Sequence, residues 1–332
     1  MSEASIKETS EITIDENIIC ETDHLGIIKV AGEDVQAFLH GQFSNDVKAL
    51  DNNQSQWNSY NNPKGRLFTT FRLCKLGQDY FMLIPQELIE PVIKRLRMFV
   101  MRSKVTLDDI SSTWKILGFA GNELSNPTPT GMNEIQQENS VNWIRIPGVT
   151  TRVLCFGENE NIEKIKLQFT DKLTLSTSNH WRRLDIHSGI ANIFADTYEE
   201  FVAQMVNLQI TDGVSFTKGC YPGQEVVARM HYLGKLKKRM YRITINSNEL
   251  PTLGENIYDA ASENQQSVGK IVDAQKNEKG SLDALAVIQV ASVESKGLRI
   301  ASVDGANISI EDLPYSFELE NNPHITKDGL QL

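Results

Sequence analysis

The sequence changes character near residues 233–239, and this change constrains the fold more than any other feature. Before it, strand-like runs alternate with amphipathic helical segments, and after it short strand-like runs follow one another without a helical pattern. The first texture predicts an α+β region and the second a small β-barrel. Because 332 residues exceed what one core usually holds, we expect an α+β region over residues 1–235 and a barrel domain over residues 236–332.

Within the α+β region the clearest local prediction is a hairpin. Strand-like runs at Gln54–Tyr60 and Leu67–Lys75 flank Asn61-Asn62-Pro63-Lys64-Gly65, whose residue types favour a turn. Apolar residues recur at helical spacing over Gln86–Met101, which predicts a helix. The polar stretch Asn122–Ser140 is predicted to be a loop.

Composition and charge limit the classes of function. The N-terminal segment Met1–Asn17 lacks the pattern of a signal peptide, and no apolar run reaches the roughly 18 residues of a membrane span, so we expect a cytoplasmic protein with no membrane partner. A net charge of −10 argues against stable direct binding to nucleic acid, which depends on neutralising phosphates.

One basic cluster departs from this acidic average. It comprises Arg229, Lys235, Lys237, Lys238, Arg239 and Arg242. A solvated charged face, a site for an anionic small molecule and an RNA contact all remain open for it.

The four cysteines are far apart in the sequence. Cys20, Cys74, Cys155 and Cys220 form no C-x-x-C pair, so a disulfide framework is not expected and reduced thiols fit better. The same scatter argues against a metal or iron–sulfur site built from this chain alone, and none is predicted.

Cys220 differs from the other three in its surroundings. Gly219 precedes it and Pro222 and Gly223 follow it closely, so the backbone can turn sharply and leave the thiol uncovered. Apolar residues after Gln224 recur at helical spacing, which places the thiol just before a helix N-terminus, where the macrodipole favours a thiolate. Lys218 acts in the same direction. We predict an exposed thiol that reacts or faces a ligand.

The residues around Cys220 also carry a resemblance. Residues 218–225 read KGCYPGQE and look like the K-G-C-Y-x-G-Q-E signature of the YgfZ family, which is related to the glycine-cleavage T-protein. Residues 38–42, FLHGQ, with residues 45–47, NDV, resemble its F-L-x-G-Q and N-D-V segment, and residues 63–66, PKGR, resemble its K-G-R/K turn. The resemblance covers roughly residues 20–290.

The resemblance implies a T-protein-like fold. It would consist of two α+β subdomains with interleaved chain segments, one near residues 51–110, and a C-terminal β-barrel, all around a channel that holds a folate. Members of the family bind tetrahydrofolate and assist the assembly or repair of iron–sulfur enzymes, including a radical enzyme that modifies tRNA. Tetrahydrofolate or a derivative is therefore the expected cofactor, and iron–sulfur enzymes are the expected partners.

The resemblance also implies roles for individual residues. Cys220 and Lys218 are the predicted catalytic residues, and Cys220 could act as a nucleophile, a transient ligand of iron or a cluster, or a redox thiol; the family favours the second role. The predicted folate contacts are Asn62, Lys64, Trp181, Arg183, Tyr221, Gln224, Glu225 and Arg229. Trp181, at helical spacing with Leu184, is equally consistent with a core position.

The chain departs from the T-protein at one position of the hairpin. Where the T-protein carries a catalytic aspartate, this sequence has Thr69 and Thr70. A hydroxyl group does not ionise near neutral pH and cannot replace a carboxylate in proton transfer. An accessory protein is therefore favoured, and the alternative is a folate-dependent one-carbon transferase acting on an unknown donor.

Overall fold

The computed structural model describes residues 17–317, except residues 123, 125–127, 235, 264 and 265. These residues form three β-sheets and five α-helices, which confirms the predicted α+β class. The strands are β1 (Ile18–Glu21), β2 (Leu25–Ala31), β3 (Gln54–Asn61), β4 (Leu67–Leu76), β5 (Asp79–Pro85), β6 (Thr106–Asp109), β7 (Trp114–Gly121), β8 (Ile135–Glu138), β9 (Val141–Ile146), β10 (Thr151–Glu158), β11 (Thr174–Ser176), β12 (Lys238–Ile245), β13 (Asn256–Asp259), β14 (Ser267–Lys276), β15 (Leu282–Gln289), β16 (Leu298–Ile300) and β17 (Ile308–Glu311). The helices are α1 (Val35–His40), α2 (Ile89–Val100), α3 (Asn159–Thr170), α4 (Ser178–His187) and α5 (Gln224–Leu233).

The first two sheets are formed by one stretch of chain, in which the strands of one sheet interrupt those of the other. A five-stranded antiparallel sheet has the order β3-β4-β5-β2-β6, and a six-stranded sheet has the order β11-β1-β7-β10-β9-β8. β1 pairs with β7 and, in parallel, with β11. The segment that forms the five-stranded sheet is therefore inserted after the first strand of the other sheet. The division of this region into subdomains stays a prediction.

The predicted hairpin is confirmed as β3 and β4. Ser59 pairs with Thr70, and a bulge follows between Tyr60 and Asn61. The connecting turn places Gly65 at φ +73°, a left-handed conformation that suits glycine. The hairpin lies at the centre of the molecule because one face packs on α1 and α2 and the other faces the C-terminal part of the chain.

The predicted helix at Gln86–Met101 begins later than expected. Gln86–Leu88 form a 3₁₀ turn, and the α-helix α2 starts at Ile89. Pro91 lies in its first turn, where the missing amide hydrogen has no intrahelical partner to lose. Met101 follows the helix with φ 42°.

The predicted loop Asn122–Ser140 contains one strand that the sequence did not reveal. β8 lies at the edge of the six-stranded sheet, and only its first residue, Ile135, is buried. An edge strand with three exposed polar residues shows no alternation of apolar and polar side chains, so the usual signal for a strand is missing.

The C-terminal strands agree with the predicted small barrel. The sheet has the order β16-β13-β14-β15-β12-β17, with antiparallel pairing throughout. A bridge between Arg299 and Asn307 connects β16 to the residue before β17 and brings the two edges together. The predicted domain boundary falls between α5 and β12, and the division itself stays a prediction.

A central apolar cluster holds these parts together. It contains Leu67 of the hairpin, Ile193 of the segment after α4, Val227 of α5 and Leu285 of β15. Ion pairs between α4 and the barrel strengthen this contact, since Arg182 reaches Asp273 at 2.6 Å. The start of α5 is thereby fixed against both the hairpin and the barrel.

The longest described α-helices, α2 and α3, have 12 residues each. No helix in the described part of the chain has the length and apolar composition needed to cross a membrane.

Candidate functional site

Cys220 lies on the surface, four residues before the first residue of α5. Its thiol is exposed, whereas Cys20, Cys74 and Cys155 are buried. Gly223 caps the helix with φ 82°, a left-handed conformation. The exposure of the thiol and its place before a helix agree with the expectation from the glycine-rich turn.

The start of α5 packs directly on the hairpin turn. A Cβ atom at Gly223 would lie 2.5 Å from the carbonyl oxygen of Asn62 and 2.6 Å from the Cα atom of Gly65. In return, a Cβ atom at Gly65 would lie 3.1 Å from Cβ of Val226. The two glycines let the backbones approach closely, so the two motifs, far apart in the sequence, form one surface with the exposed Lys64 on the turn.

Asn62, a predicted folate contact, uses its side chain to shape this turn. Its Oδ1 accepts hydrogen bonds from the amides of Lys64 and Arg66 at 2.8 and 3.0 Å, and its Nδ2 donates to Glu199 at 2.7 Å. The side-chain amide is therefore fully engaged in hydrogen bonds within the protein, as is typical of an asparagine in a turn.

Lys218 anchors the cysteine motif to the last residue of α1 and the segment that follows it. Its ammonium group is buried and donates to the carbonyl oxygens of His40 and Phe43 at 2.5 and 2.6 Å. The same group lies 4.8 Å from the centre of the Tyr221 ring. Burial lowers the pKa of Lys218 to about 8, although the nearby Asp46 and Cys220 act in the opposite direction. Lys218 is thus an electrostatic neighbour of the thiol.

Solvent exposure differs among the remaining predicted folate contacts of the cysteine motif. Tyr221 is buried, and burial raises the pKa of its hydroxyl. Glu225 is exposed in the first turn of α5, where a carboxylate complements the helix dipole. Gln224 is half-buried at the first position of the helix, and Arg229 is exposed further along it.

His40 lies beside the cysteine motif, and sequence reasoning did not find it. A Cβ atom on Gly219 would lie 3.4 Å from Nε2 of His40, and Nδ1 of the same ring is 3.3 Å from a carboxylate oxygen of Asp46. Burial and the nearby Lys218 lower the pKa of His40, while Asp46 opposes this. The ring occupies the variable position of the F-L-x-G-Q segment, so no sequence signal marked it.

Trp181 does not lie on this surface, and its role as a folate contact stays a prediction. The indole is 1% exposed, and the guanidinium of Arg152 lies 4.4 Å from its ring centre. A Cβ atom at Gly118 would lie 2.3 Å from the ring. The helical spacing of Trp181 with Leu184 reflects a core position.

Arg183 also lies apart from the cysteine motif. Its guanidinium pairs with Glu278 at 2.6 Å. It lines a cavity of about 430 Å³ together with Ser176, Thr177, Asn179, His180, Leu250, Gln275 and Lys276, none of which belongs to residues 218–229. The structure therefore does not bring Arg183 to Cys220.

The basic cluster after Arg229 is divided in the fold. Arg242 donates to the carbonyl oxygen of Asp312 at 2.8 Å, and the guanidinium of Arg239 lies 4.7 Å from the ring centre of Phe317. These two cations hold the end of the described chain on the barrel and are not part of one open patch.

Thr69 and Thr70 are both fully buried. The hydroxyl of Thr70 donates to the carbonyl of Ala191 at 2.8 Å and accepts from the amide of Ile193 at 3.1 Å. The hydroxyl of Thr70 therefore serves as a structural link between β4 and the segment after α4.

Unpartnered polar atoms line the same face of the hairpin. Residues paired across antiparallel strands share a face, so Ser59, opposite Thr70, and Asn61, opposite Leu67, point toward the central cluster. Within the described residues, Oγ of Ser59 and both Oδ1 and Nδ2 of Asn61 are buried without a hydrogen-bond partner. Oε1 of Gln204 is also buried without a hydrogen-bond partner, while Nε2 of the same side chain donates to the carbonyl oxygen of Val227 in α5.

Such atoms are uncommon in folded proteins because each costs the free energy of losing its water. A donor and an acceptor side by side on one buried amide would suit a flat, polar ring with matching edges.

In residues 17–317, leaving aside the short gaps, no group of three or more His, Cys, Asp or Glu side chains is arranged to hold a metal ion.

Comparison with known proteins identifies relatives over nearly the whole chain. The chain is 31% identical over 310 residues to the tRNA-modifying protein YgfZ of Hamiltonella defensa, covering 90% of this chain and 91% of that protein. It is 30% identical over 316 residues to the protein of the same name from Colwellia psychrerythraea, covering 92% and 95%. The Yersinia pestis protein of this name is 26% identical over 301 residues. No protein-family model matches the chain.

A solved structure shares the fold. The glycine cleavage system aminomethyltransferase T from Bartonella henselae superposes with a TM-score of 0.72, covering 91% of this chain and 86% of that one. At 11% sequence identity this similarity shows a T-protein-like fold and nothing about activity.

Proposed function

The chain belongs to the family of the tRNA-modifying protein YgfZ, and from this membership we propose that it is a tetrahydrofolate-binding accessory protein that maintains iron–sulfur enzymes through the thiol of Cys220. A radical enzyme that modifies tRNA is the proposed client. The names of the relatives support a role in tRNA modification.

The exposed thiol of Cys220 is the observation that carries this proposal. The other three cysteines are buried, and burial raises the pKa of Cys20 to about 11 and that of Cys74 to about 12. Only a thiolate acts as a nucleophile or as a metal ligand, so these buried thiols are poorly suited to either task. A single exposed thiolate is sufficient to hold an iron atom or cluster of a client if the client supplies the other ligands.

The buried polar atoms of the hairpin support the assignment of the folate. Asn61 offers an unpaired donor and an unpaired acceptor, and Ser59 and Gln204 offer further polar atoms, which fits the hydrogen-bonding edge of a pterin. Lys64 and Arg229, both exposed near the motif, are the proposed contacts of the glutamate tail. Tetrahydrofolate, when bound, supplies a carrier for one-carbon groups.

The residues around the thiol are suited to holding it in a fixed position. Lys218 fixes the loop to carbonyl oxygens at and just beyond the end of α1, and Gly223 fixes the start of α5 on the hairpin turn. The thiol is therefore held at one place on the surface, next to the hairpin whose other residues would bind the folate. In this proposal the folate binds inside the molecule, and the thiol reacts at its surface.

The alternative, a one-carbon transferase, is weaker on chemical grounds. Thr69 and Thr70 provide no carboxylate, and both hydroxyl groups of the pair are buried and bonded. Proton transfer to and from the folate amine would need another group with a suitable pKa.

The proposal is tested by replacing the thiol and measuring two properties of the same variant. Cys220→Ala should abolish rescue of the iron–sulfur tRNA-modifying activity in a strain lacking this protein. The same variant should bind tetrahydrofolate with an affinity within about twofold of wild type, which corresponds to roughly 0.4 kcal/mol. Full rescue by Cys220→Ala would overturn the role of the thiol.

The folate assignment has its own test. Calorimetric titration of the purified wild-type protein with tetrahydrofolate should give saturable binding with one site per chain. An absence of binding would overturn this half of the proposal and leave the role of the thiol untouched.

A further inference from the structure

We propose that the client enzyme binds a surface beside Cys220, formed by the exposed side of α5 and an aromatic group at its end. The aromatic group comprises Phe216, His231 and Tyr232. The partner is a protein that presents acidic side chains around an apolar recess for the tyrosine ring. This inference rests on the proposed function of Cys220 and adds the surface that brings the client to the thiol.

The aromatic group has a fixed arrangement. The rings of Phe216 and His231 stack with their centres 3.8 Å apart and their planes 14° apart. The ring of Tyr232 stands edge-on to this stack, with its centre 4.8 Å from that of His231. Phe216 packs in turn against the central apolar cluster. Tyr232 is therefore supported by side chains that are anchored in the core.

Tyr232 and a neighbouring arginine have the properties of interface anchors. Tyr232 is 66% exposed although two other rings support it. Arg229 is also exposed and lies three residues earlier in α5, so the two side chains are neighbours on the helix surface. Tyrosine and arginine often dominate the binding energy of protein interfaces, and a supported tyrosine loses little conformational entropy on binding.

The chain places the aromatic group close to Cys220. Phe216 lies four residues before Cys220, and four residues span at most about 14 Å. The loop from Phe216 to Gly223 runs alongside α5, because Gly223 caps the start of the helix and Phe216 stacks on His231 in its last turn. The thiol of Cys220 is exposed in this loop. The thiol and the aromatic group therefore lie on neighbouring parts of the surface.

The usual size of protein interfaces places the aromatic group under the client. In the proposed function an iron atom of the client reaches Sγ of Cys220, so the thiol lies inside the interface. A standard interface covers about 800 Å² of each partner, which corresponds to a disc of roughly 16 Å radius. This radius exceeds the span of about 14 Å that four residues allow. A client centred on Cys220 therefore also covers the aromatic group.

The charge of this surface indicates the chemistry of the partner. The whole chain has a net charge of −10, yet residues 226–245 contain six Lys or Arg residues and no Asp or Glu. Arg229 and Lys237 are exposed, and neither forms an ion pair with any residue that the structure describes. Opposite charge on the partner would speed its association and orient it. The surface is therefore complementary to an acidic protein.

Single-stranded RNA is another class of macromolecule that binds aromatic side chains flanked by cations. Its affinity depends on neutralising several phosphates, whereas residues 226–245 offer only Arg229 and Lys237 as fully exposed cations among the described residues, on a chain of net charge −10. A protein interface can draw most of its binding energy from one buried tyrosine. The observations favour a protein, and an RNA probe is part of the test.

Binding of the client to the full-length protein tests the inference. The probe is the purified iron–sulfur tRNA-modifying enzyme of the same organism, with its cluster intact and without tetrahydrofolate. Tyr232→Ala should weaken its affinity roughly tenfold or more. Lys237→Glu should slow association roughly threefold at low salt. At about 1 M salt, where the Debye length is about 3 Å, it should associate as fast as wild type.

Matched controls come from α2, which packs on the other face of the hairpin from the central cluster. Met98 is 61% exposed and therefore comparable to Tyr232, and Lys94 is an exposed lysine of the same helix. Met98→Ala and Lys94→Glu should leave the affinity within about twofold of wild type, because charges outside the interface are screened. Thermal unfolding verifies that every variant is folded.

Protection of the thiol gives a second readout. Bound client should slow the alkylation of Cys220 by iodoacetamide, as followed by peptide mass spectrometry. The same concentration of client should protect Cys220 less in Tyr232→Ala than in wild type. Because Cys20, Cys74 and Cys155 are buried, the reaction of this chain reports on one thiol.

Three results would overturn the inference. The first is an unchanged client affinity in folded Tyr232→Ala and Lys237→Glu. The second is the absence of measurable binding between the client and the wild type. The third is binding of a tRNA transcript that Tyr232→Ala weakens while client affinity stays unchanged, which would assign the surface to RNA.

The result is separable from the proposed function. Unchanged client affinity in Tyr232→Ala together with lost rescue by Cys220→Ala would remove the binding surface and keep the accessory role of the thiol. Weakened client affinity in Tyr232→Ala together with full rescue by Cys220→Ala would keep the binding surface and remove the role of the thiol.

Discussion

Gly223 and Gly65, separated by more than 150 residues in the sequence, lie so close that a Cβ atom on Gly223 would stand 2.6 Å from the Cα atom of Gly65. Both residues have positive φ angles, 82° and 73°. This contact joins the turn of the hairpin to the helix that follows the cysteine motif. The position of Cys220 therefore depends on a backbone contact that leaves no room for a side chain on Gly223 and little room for one on Gly65.

Gly223→Ala is expected to destabilise the protein beyond the cost of a left-handed alanine. That conformational cost is roughly 1–2 kcal/mol, and the new methyl group would also collide with backbone atoms of Asn62 and Gly65. Gly77 is the matched control, since it has φ +61° and open space around its Cβ position. Urea unfolding of Gly223→Ala and Gly77→Ala measures the difference, and equal losses would contradict the close contact.

Asn61→Leu is expected to stabilise the protein and to weaken its binding of tetrahydrofolate. Removing a buried amide without partners should raise the free energy of unfolding by about 1 kcal/mol, while the affinity for tetrahydrofolate falls at least tenfold, about 1.4 kcal/mol. Asn142 is the control, because it is buried and its Nδ2 donates to the carbonyl of Phe156, so Asn142→Leu should lose stability. Thermal unfolding and calorimetric titration provide the two readouts. A destabilised Asn61→Leu with unchanged affinity would count against the assignment.

Lys218 is expected to make stability depend on pH between about 8 and 10. Its pKa is about 8 in the folded protein and near 10.4 in an unfolded chain, so in this window the unfolded state binds the extra proton. Stability contributed by this residue therefore rises with pH from about 8 to 10.4. Urea unfolding of wild type and Lys218→Met at pH 7, 8, 9 and 10 measures it. The wild type should gain relative to the variant, and parallel curves would refute the shifted pKa.

Arg152→Met is expected to destabilise the protein by about 3–5 kcal/mol, because it leaves the buried carboxylate of Asp185 without its cation. The guanidinium is fully buried and lies 2.5 Å from that carboxylate. The double variant Arg152→Met, Asp185→Leu should recover most of the loss, as judged by thermal unfolding. Lys164→Met, which breaks the exposed pair with Glu160, should cause no measurable change. A double variant as unstable as the single one would show that the packing, and not the charge, matters.

The fold could be predicted from the sequence where a local pattern decided the structure. The turn at Asn61–Gly65 and its flanking strand-like runs define β3 and β4 because glycine and proline leave few alternatives. Alternating side chains define the barrel strands in the same way, as at Lys238–Ile245. The exposure of Cys220 followed from its neighbouring glycines.

The contents of the site could be predicted only in part, because they depend on contacts between distant segments. His40 and Gly219 are 179 residues apart, and nothing in either local sequence indicates that they meet. The spacing that placed Trp181 on one face of a helix could not tell whether that face meets a ligand or the core. Asn62 has a residue type common to ligand sites and to turns, and only its hydrogen bonds distinguish the two.

Because the five-stranded sheet is inserted after the first strand of another sheet, that strand gains its partner late in synthesis. Ile19 in β1 pairs with Phe119 in β7, so the ribosome must add one hundred more residues before the first strand meets its neighbour. At about 5–20 residues per second this takes roughly 5 to 20 seconds. All strands of the five-stranded sheet leave the ribosome within that interval. The hairpin that positions the site can therefore be complete before the N-terminal strand has a partner.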